Sequence, residues 1–150
     1  MGTVRSRLSR ARTRLAGALK ASTASAQRDQ ARLEAARRRD WEDFYCALHD
    51  APEPRTYRDL YAPEVIVGDG IGSWRGIEPW SAEEREAIDV GVRAKVTGLV
   101  ASGDLTVLEV DFCNPPSAAG HCPPSSTFVH HLVNRRTARL DICYHPAQRG

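Results

Sequence analysis

Two pairs of alternating apolar segments, each closed by a short turn, fill the second half of the chain and limit what it can fold into. Val92 to Val100 and Leu105 to Cys113 flank Ala-Ser-Gly-Asp, and Ser126 to Val133 and Thr137 to Tyr144 flank Asn-Arg-Arg. Period-two patterning on both sides of a Gly- or Asn-bearing turn predicts a β-hairpin, so four antiparallel strands are expected. Between the hairpins, Asn114 to Pro124 holds four prolines and reads as an ordered, irregular connection.

Upstream the period changes from two to that of a helix. From about Gln27 to His49 the pattern permits a helix throughout, with Trp41, Phe44, Tyr45 and Leu48 meeting on one face. Asp50-Ala51-Pro52 and Pro54 end it. A short helix over Thr56 to Tyr61 gives way at Pro63 to Val65-Ile66-Val67, a first strand that stops at Gly68-Asp69-Gly70. Ile71 to Gly91 reads as loop then helix, with Ser81 ahead of Glu83-Glu84 as the expected capped start.

This order predicts an α+β fold: a cone-shaped, curved antiparallel sheet wrapped around the long amphipathic helix. Three segments carry a resemblance. Tyr61-Ala62-Pro63-Glu64-Val65-Ile66-Val67, Trp74-Arg75-Gly76 before a helix, and the closing Ala138-Arg139-Leu140-Asp141-Ile142-Cys143-Tyr144-His145 resemble the SnoaL-like branch of the nuclear-transport-factor-two and ketosteroid-isomerase superfamily. The resemblance spans about residues 30 to 147. It implies one interior pocket, but the cone hosts isomerases, cyclases, hydrolases and binding modules alike.

Ahead of the cone, Met1 to Leu19 carries five arginines and no acid. Val4, Leu8, Ala11, Leu15 and Leu19 form one stripe of a helix capped by Thr3, and Arg5, Arg7, Arg10, Arg12 and Arg14 spread over the rest. Gly2-Thr3-Val4-Arg5-Ser6-Arg7-Leu8-Ser9-Arg10-Ala11-Arg12 resembles the recognition helix of region four of extracytoplasmic-function sigma factors. That resemblance implies promoter DNA and the RNA polymerase core as partners, with Arg5, Ser6, Arg7 and Arg10 contacting DNA and Arg12 and Arg14 meeting phosphates. Without the preceding helix of such a motif, the chain reads as the C-terminal part of a longer factor. Lys20 to Ala26 reads as a short linker or helix junction, giving the divisions 1–19, 20–29 and 30–147.

Charge divides the same way. Residues 1–40 hold eleven Lys and Arg against three Asp and Glu, whereas residues 41–150 hold ten against sixteen. A polyanion is drawn only to the front, in a salt-dependent manner. The acidic remainder, with Glu83, Glu84 and Glu86, can compete with DNA for the arginines. No apolar run is long enough to cross a bilayer and the basic start lacks a secretory core, so a cytoplasmic protein is expected. Cys46, Cys113, Cys122 and Cys143 form no C-x-x-C pair and read as reduced, mostly buried thiols. His121-Cys122 and Cys143-x-His145 can be bent into a metal site on paper, but the reading taken is that no metal or cofactor is bound.

The pocket chemistry depends on which sheet face points inward. Alternation puts Glu109, Asp111 and Cys113 on one face of their strand, Phe128 and His130 on one of theirs, and Arg139, Asp141, Cys143 and His145 on one of the last. The opposite faces, with Leu108, Val110, Phe112, Leu140, Ile142 and Tyr144, are more apolar. If the polar set faces inward, Asp111 with His130 or His145 can move a proton beside a carbonyl, with Asp69 and Asp141 as alternative acids. Tyr61 and Trp74, with Tyr57 and Trp80, can form an aromatic mouth for a flat apolar ligand. The expectations are therefore a sigma-like factor regulated by a ligand-binding cone, or a stand-alone cone enzyme acting on polyketide-like or steroid-like molecules. A homodimer paired through the outer sheet face is compatible with both.

Overall fold

The computed structural model describes the backbone of residues 4–50 and 54–145 and the side chains of residues 13–15, 23–50 and 57–145. The chain divides into two compact units, residues 1–33 and 34–150. A single helix, α1 (Val4–Asp50), contributes to both. It runs unbroken through residues 20–29, where a junction was expected: the segment is small and polar but contains no Gly or Pro, and its alanines favour helix. In the first unit Arg14 and Leu15 are exposed.

In the second unit, Trp41, Phe44, Tyr45 and Leu48 recur at helical spacing, and all four are buried. They pack into one core with α2 (Pro54–Leu60), β1 (Tyr61–Gly68) and the inner face of the sheet, through Tyr57, Val65, Leu108, Phe128, Leu140 and Ile142. Tyr61 opens β1 rather than closing α2. Pro63 fits within that strand because no pairing with β6 is formed between Tyr61 and Ile66, so its missing N–H is not needed there.

A three-residue strand, β2 (Ser73–Arg75), pairs with the end of β1 in what read as a loop, and is too short to show a period. Next comes α3 (Glu78–Asp89), which starts three residues before the expected cap at Ser81. Pro79 sits in its first turn, where an N–H has no helical partner anyway, and the Ser81 hydroxyl donates back to the Glu78 carbonyl at 3.0 Å.

The two expected hairpins form: β3 (Arg93–Ser102) with β4 (Leu105–Cys113), and β5 (Ser125–Val133) with β6 (Arg136–His145). Their turns are tighter than the sequence suggested, Gly103-Asp104 and Asn134-Arg135. The sheet order is β2-β1-β6-β5-β4-β3. Because β1 runs parallel to β6, the curved sheet is mixed, a correction to the fully antiparallel expectation.

Register breaks at Val96/Gly98 in β3 and at His131/Leu132, where Ala138 of β6 is extra, mark bulges that bend the sheet. Each bulge also switches the inward face. Thr137 points inward on one side of Ala138, and Leu140 and Ile142 point inward on the other. At Gly98 the bend brings the backbone against the Glu109 side chain, so a Cβ there would require that carboxylate to swing away.

Candidate functional site

A cavity of about 590 Å³ opens within the second unit between α1, α3 and the sheet. From α1 it takes Tyr45, Leu48 and His49, the last turn of the buried stripe. Trp80, Glu84, Ala87 and Ile88 of α3 follow at steps of four, three and one, which places them on one helical face. Val92 and Ala94, with Phe112 of β4 and Tyr144 of β6, form the sheet wall. His121, Cys122 and Pro123 of the proline-rich connection close one side, and Glu83 and Glu86 are exposed residues of the lining. The volume suits one small molecule and the walls are mostly apolar.

Glu84 is the polar exception on that inner stripe. The Tyr57 hydroxyl donates to its Oε2 at 2.7 Å. Burial raises the carboxyl to a pKa of about 7, and the Tyr57 bond pulls it back only in part. Tyr57, Tyr45 and Tyr61 are each raised, first by burial and then by the nearby Glu84 charge, so all three stay neutral. The group is thus a carboxylic acid that gains or loses its proton near neutrality, in an apolar cleft. His49 has its imidazole lowered by burial and accepts the Ala94 N–H at Nε2, 3.4 Å away.

The residues read from sequence as site candidates sit elsewhere. His130 is inward, as one expectation required, but it is wholly buried in the aromatic core, with its ring 4.2 Å from that of Trp41. Its Nδ1 hydrogen bonds Thr137 Oγ1 at 3.2 Å, and its Nε2 has no partner among the described residues. Burial first, then Arg37 and His131, lowers its pKa to about 3. Asp111 and His145 are on the outer face, so Asp111 and His130 form no dyad. Asp111 and His145 flank Ser125 on neighbouring strands, and His145 Nε2 instead meets Thr127 Oγ1 at 2.8 Å. Asp111, Asp141 and His145 face outward because the apolar alternate positions of β4 and β6 are the ones that bury in the core with α1.

Asp141 is also outside, bridged by Arg139 at 2.8 Å and near His131 at 3.4 Å, and the Arg139 bond holds it below the usual carboxylate range. Asp69 staples its own turn, accepting the Ile71 and Gly72 N–H groups at 2.9 and 2.8 Å, which lowers it too. Tyr61 is a core residue, and Trp74 packs partly buried against the same core. None of these seven lines the cavity, whereas Trp80 does and Tyr57 stands behind Glu84. Arg5, Ser6, Arg7, Arg10 and Arg12 lie on the helical backbone, but their side chains fall outside the described residues; Arg14 is exposed.

Sequence reasoning missed Glu84 as a site residue and counted it as a surface charge. With the helix start placed at Ser81, Trp80 fell outside it and the stripe carrying Glu84 was cut short. Cys46, Cys113 and Cys143 are exposed and Cys122 is half-buried, a correction to the expectation of buried thiols: the exposed three fall on outward positions of α1, β4 and β6. Among the described residues no group of three or more His, Cys, Asp and Glu is placed to hold a metal, and no helix is long and apolar enough to cross a membrane.

With that geometry in place, comparison with solved structures decides the architecture. A de novo designed NTF2 fold protein, NT-9, superposes with a TM-score of 0.63 at 14% identity, covering 75% of this chain and 87% of that one. The fold is NTF2-like. An NTF2-like protein of unknown function from Cytophaga hutchinsonii matches with a TM-score of 0.55 at 14% identity, over 73% of this chain and 89% of its own. A candidate SnoaL-like polyketide cyclase from Jannaschia sp. matches with a TM-score of 0.51 at 12% identity, over 69% and 83%. Neither a family model nor a curated protein matches the sequence.

Proposed function

We propose that the NTF2-like domain is a receptor for one small, largely apolar molecule, held in the cavity with its polar group against Glu84. In this reading the domain belongs to the C-terminal portion of a sigma-factor-like initiation protein, and its ligand modulates the promoter DNA and polymerase contacts of the basic helix. The observation that carries the receptor reading is the cavity of about 590 Å³ with a near-neutral carboxyl on an otherwise apolar helix face. The helical course of the arginine-rich segment, with Arg14 exposed, supports the second part. Titrating duplex DNA into the full chain at several salt concentrations tests it. The logarithm of the affinity should fall linearly with the logarithm of salt, and each removed phosphate contact should reduce the slope by about one. A salt-independent affinity overturns the DNA part and leaves the receptor part standing.

The pKa of Glu84 favours a second reading, turnover. A carboxyl that exchanges its proton near pH 7 can remove a proton from carbon beside a carbonyl and return it at a neighbouring atom, as in an isomerase or cyclase. In D2O such a site exchanges the α-hydrogens of a bound apolar ketone. Proton NMR should see that exchange, and Glu84→Gln should abolish it.

A further inference from the structure

Of the charged side chains that line the cavity, Glu83, Glu84 and Glu86 are acidic and none is a lysine or arginine. Two arginines lie near the cavity without being part of its lining: Arg85 donates to the Ser81 carbonyl at 3.0 Å and Arg93 to the Val92 carbonyl at 3.1 Å, and their charges are felt at Tyr57 and His49. An anionic ligand therefore meets three carboxyl groups in the lining and no lysine or arginine there. A cation meets the reverse, and it also meets ring systems: Tyr45, Trp80, Phe112 and Tyr144 come from four different elements around the space. From these features, and resting on the receptor reading above, we propose that the ligand is an amine, an apolar body carrying one ammonium group that pairs with Glu84 and lies among these rings.

The pairing has a distinctive signature. Before binding, Glu84 shares its proton with solvent near neutrality because burial opposes its charge. The titratable groups that face it from other elements are Tyr45 and His49 on α1, Tyr57 on α2, Tyr61 on β1, His121 and Cys122 on the connection and Tyr144 on β6. Burial raises the four tyrosines and Cys122 and lowers His49, so these six are neutral at pH 7 and none of them supplies a positive charge. Glu83 and Glu86, on the same helix, add negative potential at the exposed part of the lining. A permanent cation entering this site selects the ionised carboxylate, so a proton leaves as the ligand arrives.

Three probes that share a phenylbutyl body test this on the full chain: 4-phenylbutyl-trimethylammonium, 4-phenylbutanol and 4-phenylbutyrate, titrated by calorimetry. The ammonium should bind at least about tenfold tighter than the alcohol, with the carboxylate weakest. Since the quaternary head cannot titrate, its affinity should rise about tenfold between pH 6 and pH 8 as the competent ionised fraction grows, while that of the alcohol stays flat. Glu84→Gln should remove both the preference for the ammonium and the pH dependence. If that variant fails to fold, the pH profile of the unaltered protein decides alone. Equal binding of ammonium and alcohol, or tighter binding of the carboxylate, removes the amine and leaves a receptor cavity. Failure of all three to bind at millimolar concentration removes the receptor reading and this one together.

Discussion

The hydroxyl of Tyr57 and the carboxylate of Glu84, 27 residues apart in the chain, meet at 2.7 Å and tie the short helix α2 to the inner stripe of α3. That bond favours the charged carboxylate while burial opposes it, and burial prevails. Removing the donor leaves burial unopposed. Tyr57→Phe should therefore move the Glu84 pKa further up from about 7 and cost about 1 kcal/mol of stability. Carbon-detected NMR of the Glu84 carboxyl through a pH titration reads it directly; an unmoved or lowered midpoint would show that the two groups are not coupled.

Glu84 also sets a pH dependence of folding. Its folded-state pKa of about 7 lies above the ordinary value of 4.5, so the favourable protonated form is fully present below pH 4.5 and is lost as pH rises through 7. Glu84→Gln keeps an acceptor for Tyr57 without the charge. The variant should be more stable than the parent by about 1 to 3 kcal/mol at pH 8 and equal to it near pH 4. Urea unfolding at the two pH values measures the difference, and a variant less stable at pH 8 would refute the burial argument.

Reading the sequence went furthest where one period held over many residues. The buried stripe Trp41, Phe44, Tyr45 and Leu48 and the two hairpins were recoverable because burial alone dictates their spacing. What stayed hidden was set by pairing partners far away in the chain. The parallel contact of β1 with β6 and the three-residue β2 leave no local period, and the bulge at Ala138 turns Thr137 inward against the alternation of the residues that follow it. The site suffered most from this. Alternation offered two faces for Asp111, Asp141 and His145, and the decision between them lay in the apolar competitors Leu108, Val110, Leu140 and Ile142, which bury more favourably against α1. Glu84 was visible as a carboxylate on the Trp80, Ala87 and Ile88 stripe only once the helix start had been placed at Glu78.

His130 gives the protein an acid-sensitive core. Its pKa falls from 6.5 to about 3 on folding, chiefly through burial, so at this site the unfolded chain binds more protons between those values and the imidazole's contribution to stability drops as pH falls below 6.5. That contribution changes by about 1.4 kcal/mol per pH unit and opposes the one from Glu84 between pH 4.5 and 6.5, so it is read as the difference from a variant without the imidazole. His130→Leu removes this contribution but strands the Thr137 hydroxyl, costing about 1 to 3 kcal/mol at neutral pH. The two stability profiles should therefore converge or cross on acidification. Denaturant melts from pH 7 to pH 4 test this, and parallel profiles would show that the imidazole is not the group titrating.

The tip of the β5–β6 hairpin offers a change that touches neither the cavity nor the core. Asn134 and Arg135 both have positive φ, 50° and 68°, the pattern of a two-residue turn matched to the twist of its strands. Asn tolerates that conformation, but for Arg the left-handed region costs about 1 to 2 kcal/mol through crowding of its Cβ. Glycine relieves the crowding and in exchange loosens the unfolded chain by up to about 1 kcal/mol. Arg135→Gly should thus stabilise the domain by roughly 0.5 kcal/mol, whereas Arg135→Val, branched at the strained position, should destabilise it by more than that. The order of urea midpoints, glycine variant above parent above valine variant, is the expected result. A valine variant as stable as the parent would mean that the turn adopts a different conformation in solution.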